Sequence, residues 1–480
     1  MLDRIIGALE RHPHVHDWTV QHRRRRSVQL YLIGREVESL REVVTEEFDL
    51  GVFNDHPFPR SDDVSGPPRT DHTGGTGFLR AAQVRASGRR TRRRGSGQTA
   101  GSGPARGVAR LKLVPADLDA LDRRLEEAVL MAQLVHNPPY ALPDPTPYPE
   151  VPLADPALET APAMVRAAWD FADELWSLVG AEPAVRLSAA ELFLNYTELE
   201  LRTSRGVAAA AAYTHALAEL VLLARGEAND EAEHFRQIEA RRLAGLRLPD
   251  QVREAATFAR DTLRATMPRT RIGPVVLAGD ALAPLFDAFL FQASGQAAYN
   301  QLARFEVGQL LATPAPGSDR LTLRSNALRP YGLGSYRFDG EGVPGQDVLL
   351  VDTGVLRARH ATQRYAQYLG IPTTGEPGNT EVEAGATPLA ALLSADGPVY
   401  HVVGFSSPDV DPITGDFGSE IRLGYEVSRQ GTRPIKGGSV SGNVFEAFAD
   451  ARFSRETTER GQYVGPLAIR FGSLRVSGDE

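Results

Sequence analysis

The chain has no cysteine. Disulfides and thiolate metal ligands are therefore excluded, which fits a reducing compartment. It also has no long uninterrupted apolar run. The longest, Val207 to Ala224, is broken by His215 and Glu219 and is rich in alanine. It reads as a buried or amphipathic helix rather than a membrane span. The opening residues, Met1-Leu2-Asp3-Arg4-Ile5-Ile6-Gly7, have no apolar core of a secretory signal, so none is expected, and the expected location is the cytoplasm. Between His72 and Ala116 there is no acidic residue, whereas Arg85, Arg89, Arg90, Arg92, Arg93, Arg94, Arg106 and Arg110 accumulate. Residues 96–107 are rich in Gly, Ser and Ala, so 85–110 reads as a flexible basic loop. No aromatic residue is interleaved there to stack on bases. The net charge of −8 gives no argument for a nucleic-acid partner.

What is present suits a globular protein. The chain has 480 residues, 42% hydrophobic and 24% charged, enough for a sizeable core and two domains. We expect an α+β fold: an N-terminal α/β domain over 1–245, then a mostly antiparallel β-rich domain over 246–480. In the first half a short helix covers 1–11. His12, His14 and His16 would share one face of a strand and could grip a metal, although a solvated segment is the commoner outcome. Val28 to Ile33 reads as a strand, 36–48 as helix or hairpin, and strand signals return at 50–53 and 77–79. Helices are expected over 115–135 and about 163–178, the latter with Trp169 and Trp176 on one buried face. The proline-laden segment 138–156 reads as a surface linker. Leu192 to Thr203 is strand-like and ends in the turn Ser204-Arg205-Gly206. Residues 230–245 are expected to be helical, and Pro249 to Thr266 is an amphipathic helix.

The second half turns to strands. They are expected near 275–277, 320–324, 334–339, 347–356, 399–404, 421–427 and 467–476, with a helix over 281–293. Asp339 and Glu341 form an acid pair, usable for general acid–base work but commoner as turn residues bonded to backbone. Asp409, Asp411 and Asp416 invite a calcium reading. Counted as an EF-hand loop from Asp409, position five is Ile413 and position six is Thr414, so the loop fails. His401 lies in an apolar strand and reads as a satisfied core residue.

The densest signal runs from Asp411 to Phe417, through Gly424-Tyr425-Glu426-Val427, to Pro434-Ile435-Lys436-Gly437-Gly438-Ser439-Val440-Ser441-Gly442-Asn443. It reads as strand, turn, strand and a glycine-rich loop that hands over to a helix. Gly437 and Gly438 permit positive φ or close backbone approach, and Asn443 can cap a helix over 444–448. Together with Phe338-Asp339-Gly340-Glu341-Gly342-Val343-Pro344, Gly378-Asn379 and Tyr463-Val464-Gly465-Pro466, in that order along the chain, this segment resembles the TldD/PmbA (TldD/TldE) metallopeptidase family. The resemblance covers roughly 110–480. Thr203 stands where the family usually has asparagine.

The resemblance also frames an absence. Catalytic members carry HExxxH on the helix that follows a buried strand, here 281–293. That spacing puts two imidazoles on one helical face to bind zinc, with a glutamate to activate water. Here the helix holds no histidine or glutamate, only Asp287, and its Phe286, Phe289 and Phe291 suit core or interface. The family's cysteine ligand cannot exist. The resemblance therefore implies a TldE/PmbA-like subunit with no catalytic residues, no metal ligands and no cofactor of its own. Its expected partners are a zinc-bearing TldD-type chain and an unfolded peptide; no membrane is expected, and nucleic acid is not favoured. The residues assigned to peptide or partner contact are Lys436, Gly437, Gly438, Ser439, Ser441, Gly442 and Asn443. Two alternatives stay open: a binding or regulatory protein acting on nucleic acid or gyrase, and a self-sufficient hydrolase with a relocated site.

Overall fold

The computed structural model describes residues 1–57, 104–227, 230–406 and 408–479. These form two compact units, 1–20 with 48–141 and 21–47 with 142–480. The expected boundary at 245/246 falls inside the second unit.

The first unit holds helix α1 (Leu2–Arg11), the start of strand β1 (Asp17–Ile33), the second part of strand β2 (Glu36–Pro57), strand β3 (Pro104–Leu113) and helix α2 (Leu121–Gln133). Its strand order is β3-β2-β1. Ile5, Leu9, Leu121, Leu125 and Val129 recur at helical spacing and bury against Val20, Phe48, Leu50, Val52 and Leu113. The 36–48 ambiguity resolves as a hairpin, because β1 and β2 follow each other across a short turn and are neighbours in the sheet. The basic-loop reading is corrected over 104–110, which is strand: β3 pairs with β2 from Pro104–Pro57 to Leu113–Phe48. Arg106 is 5% exposed. Residues 85–103, with Arg85 to Arg94, lie outside the described residues, as does the expected strand at 77–79.

In the second unit the sheet order is β2-β1-β4-β5-β6, with β4 (Val185–Thr203), β5 (Ala208–Arg225) and β6 (Glu231–Ala240). Helices α3 (Ala161–Gly180) and α4 (Leu248–Arg264) cover this sheet. On α3 the buried residues Met164, Ala168, Phe171, Ala172, Leu175 and Val179 form one stripe. Trp176 is half-buried, its Nε1 donating to Gly34 O at 3.0 Å, but Trp169 is 43% exposed, so the two tryptophans do not share a buried face.

Two expected helices are strands. Over 207–224 alanine favours helix, yet Ala216, Ala218, Leu220, Leu222 and Ala224 are buried at period two, and β5 pairs with β4 from Ala208–Arg202 to Ala224–Val185. Residues 231–240 pair with β5 along their length. There the inward positions include His234 and Arg236, so no apolar alternation marks the strand. The 138–156 segment is not a solvated linker, since Leu142, Val151 and Leu153 are buried.

The rest of the second unit begins with β7 (Arg271–Ala278), α5 (Leu285–Gln292) and α6 (Gly295–Tyr299). Next come β8 (Leu323–Asn326), β9 (Asp347–Asp352), β10 (Val355–Leu356), α7 (Gln363–Leu369), β11 (Asn379–Val382) and α8 (Leu389–Leu392). The chain continues through β12 (Val399–Phe405), β13 (Asp409–Val410), β14 (Asp416–Ser428), β15 (Gly431–Ile435), β16 (Ser439–Asn443) and α9 (Val444–Ala447). It ends in β17 (Arg452–Phe453), β18 (Thr457–Arg460), β19 (Tyr463–Pro466) and β20 (Ala468–Ser477). No strand forms over 334–339, where the backbone turns instead.

One sheet runs β10-β9-β8-β11-β19-β18. The other runs β12-β7-β20-β16-β14, and β14 pairs back to β12, so these strands close on themselves. Closure leaves no free edge along that ring. Phe286 and Phe289 of α5 pack among Phe445, Phe448, Phe453, Tyr463 and Phe471 in the core between the sheets. No helix among the described residues is long and apolar enough to cross a membrane.

Candidate functional site

The glycine-rich segment is built from β14, β15, β16 and α9. Asp411 opens it, its Oδ1 accepting from Ile413 N at 2.8 Å and Thr414 N at 3.1 Å. Gly415 follows at φ +83°. Asp416 Oδ1 accepts from Asn443 Nδ2 at 2.8 Å, and Asn443 Oδ1 caps α9 through Phe445 N and Glu446 N. The segment from Asp411 to Asp416 is thus a turn whose two carboxylates are engaged by backbone and amide groups. Asn443 is the expected cap, with a helix that ends at Ala447.

Gly437 and Gly438 both sit at positive φ, +75° and +65°. A Cβ on Gly438 would collide with the carbonyl of Ser477, so the close approach predicted for this glycine is made by β20. Lys436 is exposed, but its Nζ donates to Thr262 O at 3.1 Å in the last turn of α4, where a cation also meets the negative helix end. Ser439, Val440 and Ser441 pair with β14 on one side and β20 on the other. Gly442 and Asn443 pair with Phe417 and Asp416. The seven residues therefore lie together, with the Ser439–Ser441 backbone already laddered on both edges.

Helix α5 adjoins this block. Gln292 is fully buried; its Nε2 donates to Pro412 O at 2.8 Å and its Oε1 accepts from Arg304 N at 2.6 Å. Arg304 in turn donates to Thr414 O at 2.7 Å. The residues on α5 do not fit a zinc ion, which needs three protein ligands. Phe286 and Phe289 face the core, Gln292 is spent on backbone, and Asp287 is exposed. His360, near the helix, places its Nε2 3.0 Å from Leu290 O. Among the described residues no three His, Asp or Glu side chains are grouped to hold a metal. The N-terminal histidines lead into β1 as a solvated segment, His16 Nδ1 accepting from Asp55 N at 2.9 Å.

The Asp339–Glu341 pair is a turn. Asp339 Oδ1 accepts from Glu341 N, Gly342 N and Val343 N at 2.9, 3.0 and 2.9 Å. Burial pushes this carboxyl up and the three backbone donors work against that push. His401 departs from expectation: its Nε2 is buried with no hydrogen-bond partner, and the ring lies beside Tyr425 at 6.0 Å. Burial draws its pKa down to about 4.

Sequence reasoning missed a charged cluster beside α5. Arg236 of β6, with its side chain 3% exposed, pairs with Glu254 of α4 and with Asp280 at 3.0 Å. Arg460 of β18 reaches the same two acids at 3.1 and 3.2 Å. Burial, then Arg460, lowers the Arg236 pKa to about 10. The cluster joins three elements to the turn that opens α5. Its extremes, Arg236 and Arg460, are 224 positions apart, and apart from Glu254, a helix-face charge, no local pattern announces its members.

Comparison with known proteins agrees with this architecture. Residues 270–478 match the PmbA/TldA metallopeptidase C-terminal domain. The chain is 26% identical over 238 residues to the metalloprotease PmbA of Escherichia coli O157:H7, covering 48% of this chain and 51% of that one. It is 29% identical over 168 residues to an uncharacterised protein of Methanocaldococcus jannaschii, covering 32% and 40%. The chain thus spans about half the length or less of these curated relatives. Among solved structures it resembles TldE from Thermococcus kodakarensis with a TM-score of 0.75 at 16% identity, over 99% of this chain and 100% of that one. A Thermotoga maritima protein described as a modulator of a DNA gyrase superposes with a TM-score of 0.73 at 14% identity, over 99% of each chain. At such identities these structures speak to fold alone. The match over 270–478 assigns that part of the chain to the PmbA/TldA metallopeptidase C-terminal domain, and the solved structures share the fold of the chain.

Proposed function

We propose that this chain is a TldE/PmbA-like subunit that leaves the chemistry to a zinc-bearing TldD-type partner. The pair would form a heterodimeric metallopeptidase acting on unfolded peptides or peptide precursors in the cytoplasm. The observation that carries this reading is the make-up of α5. At the place where catalytic relatives bear HExxxH, this helix turns Phe286 and Phe289 into the core and spends Gln292 on Pro412 and Arg304. Zinc would belong to the partner, and this chain would carry no cofactor. The segment from Lys436 to Asn443 would contact peptide or partner through its exposed lysine and its turn, since the Ser439–Ser441 backbone is already paired on both sides.

The test is affinity purification of the tagged chain from its own cells, with mass spectrometry of co-eluting proteins and zinc analysis of the bait and the complex. A stoichiometric HExxxH-bearing partner, zinc only in the complex, and peptide cleavage by the pair support the proposal. A chain that elutes alone with stoichiometric zinc and cleaves peptides overturns it.

A further inference from the structure

Away from the glycine-rich segment, β17 and β20 set two arginines face to face. Arg452 is the cross-strand partner of Arg470. Like charges directly opposite on neighbouring strands repel. Arg470 is half-buried; its Nη1 donates to Leu392 O at 2.9 Å and Ser394 O at 2.8 Å, which fixes the plane of the guanidinium. Burial, and then Arg452, draws its pKa below the usual arginine value.

The nearby acids do not neutralise Arg452. Asp450 Oδ1 accepts from Gly472 N at 3.0 Å, and Asp319 Oδ2 accepts from Phe453 N at 2.7 Å. Arg452 makes no hydrogen bond or ion pair among the described residues, and its side chain is exposed. Both arginines line a cavity of about 420 Å³ together with Ser318, Ser394, Asp450 and Gly472.

We propose that this cavity is an oxyanion site for a single carboxylate. A carboxylate fits the fork of a guanidinium with two parallel bonds, and a second cation opposite strengthens the hold. The cavity lining carries two arginines and one aspartate, Asp319 lying outside it, and this leaves one uncompensated positive charge, which a monoanionic carboxylate cancels and a phosphate dianion exceeds. Ligand pockets of about this size admit a small acid or one acidic residue of a peptide. The exposed positions of Arg452, Ser394 and Gly472 leave the mouth open to such a group. The site lies on β17 and β20 and does not depend on the heterodimer proposed above.

The test uses the full chain and three probes: N-acetylglycine for a chain-end carboxylate, N-acetylglutamic acid α-amide for a side-chain carboxylate, and inorganic phosphate. N-acetylglycinamide is the uncharged control. Binding is followed by calorimetry and ligand-observed NMR. The expected result is binding of one or both carboxylates, none of the amide, and weaker binding of phosphate; whichever carboxylate binds more tightly identifies the source. Arg452→Gln, at an exposed position, should weaken carboxylate binding about tenfold or more, as loss of a charge-assisted bond does, while leaving the melting temperature unchanged. Arg452→Lys should fall between the two. Absence of carboxylate binding, preference for phosphate, or unchanged binding by Arg452→Gln would overturn the assignment.

Discussion

Asn379 Nδ2 donates to Ser335 Oγ at 2.8 Å, and Asn379 is 1% exposed. The same amide donates to Asn326 O at 2.7 Å, and its Oδ1 accepts from Gly334 N at 2.8 Å. Arg241 meets the same loop, donating to Gly332 O, Leu333 O and Ser335 O at 2.8, 3.1 and 2.8 Å. One buried carboxamide and one buried guanidinium thus satisfy a loop that would otherwise bury unpaired carbonyls. A residue that stood out in sequence only as part of a motif has here a structural role.

Asn379→Ala should therefore destabilise the second unit by roughly 2–4 kcal/mol, because several buried groups lose their partners at once. Asn379→Asp should cost at least as much, since a carboxylate oxygen would face the Asn326 carbonyl. Thermal unfolding of both variants against Ser335→Ala, which removes only one of the bonds, checks the ranking.

Gly438→Ala is expected to be damaging for two separate reasons. Its φ is +65°, and the new Cβ would strike the Ser477 carbonyl. Gly418→Ala lies on the same sheet, where a Cβ meets nothing within 4 Å, and should be tolerated. Hydrogen exchange at Ser439 and Ser441 should rise in the first variant and stay protected in the second. Equal protection in both would refute the close-packing argument.

Acid should weaken the second unit through two histidines. His401 and His234 both have pKa values lowered to about 4, each chiefly by burial. His234 also feels Arg236 and Arg422, with Asp280 opposing. A folded pKa below the unfolded value near 6.5 means that the unfolded chain binds the extra proton first. Stability is then full above pH about 6.5 and falls as pH drops toward 4, by about 3 kcal/mol per histidine. His401→Phe, which keeps a ring beside Tyr425 and removes the unpartnered Nε2, should flatten this slope between pH 6.5 and 4. An unchanged slope would exclude His401 as a contributor.

Arg106→Met should destabilise the first unit by about 3–5 kcal/mol, as loss of one member of a buried pair does. Arg106 pairs with Asp17, lies 3.6 Å from Asp55, and stacks over Phe53 and Tyr140 at 4.9 and 5.4 Å. The double variant Arg106→Met/Asp17→Asn should cost less than the sum of the two single changes, by a coupling that a double-mutant cycle on the melting curves measures.

Much of the fold was legible from local pattern. The stripes of α3 and α4 and the apolar strands β7 and β12 announce themselves, because one face of each meets a core that tolerates only apolar residues. The helix cap at Asn443 and the turns at Asp339 and Asp411 were legible as well, since each is satisfied by backbone within a few residues. The errors fall where partners come from far along the chain. Alanine in β5 favours a helix in isolation and becomes strand once β4 pairs with it for its whole length. The inward face of β6 carries His234 and Arg236, so its alternation is hidden until Glu254 and Asp280 arrive to pair the arginine.

The candidate site divides in the same way. By itself the sequence marked Gly437 and Gly438 as positions able to take positive φ, which they adopt at +75° and +65°, and it determined the lack of thiolate and of imidazoles on 281–293. Only the tertiary structure decided that the neighbour crowding Gly438 is β20, that Lys436 rests on the end of α4, and that the Ser439–Ser441 edges are already taken. It also decided that Arg452 and Arg470 stand opposite each other. Local sequence constrains dihedral angles and helix faces over a few residues, whereas sheet closure and charge pairing bring together residues separated by tens to hundreds of positions.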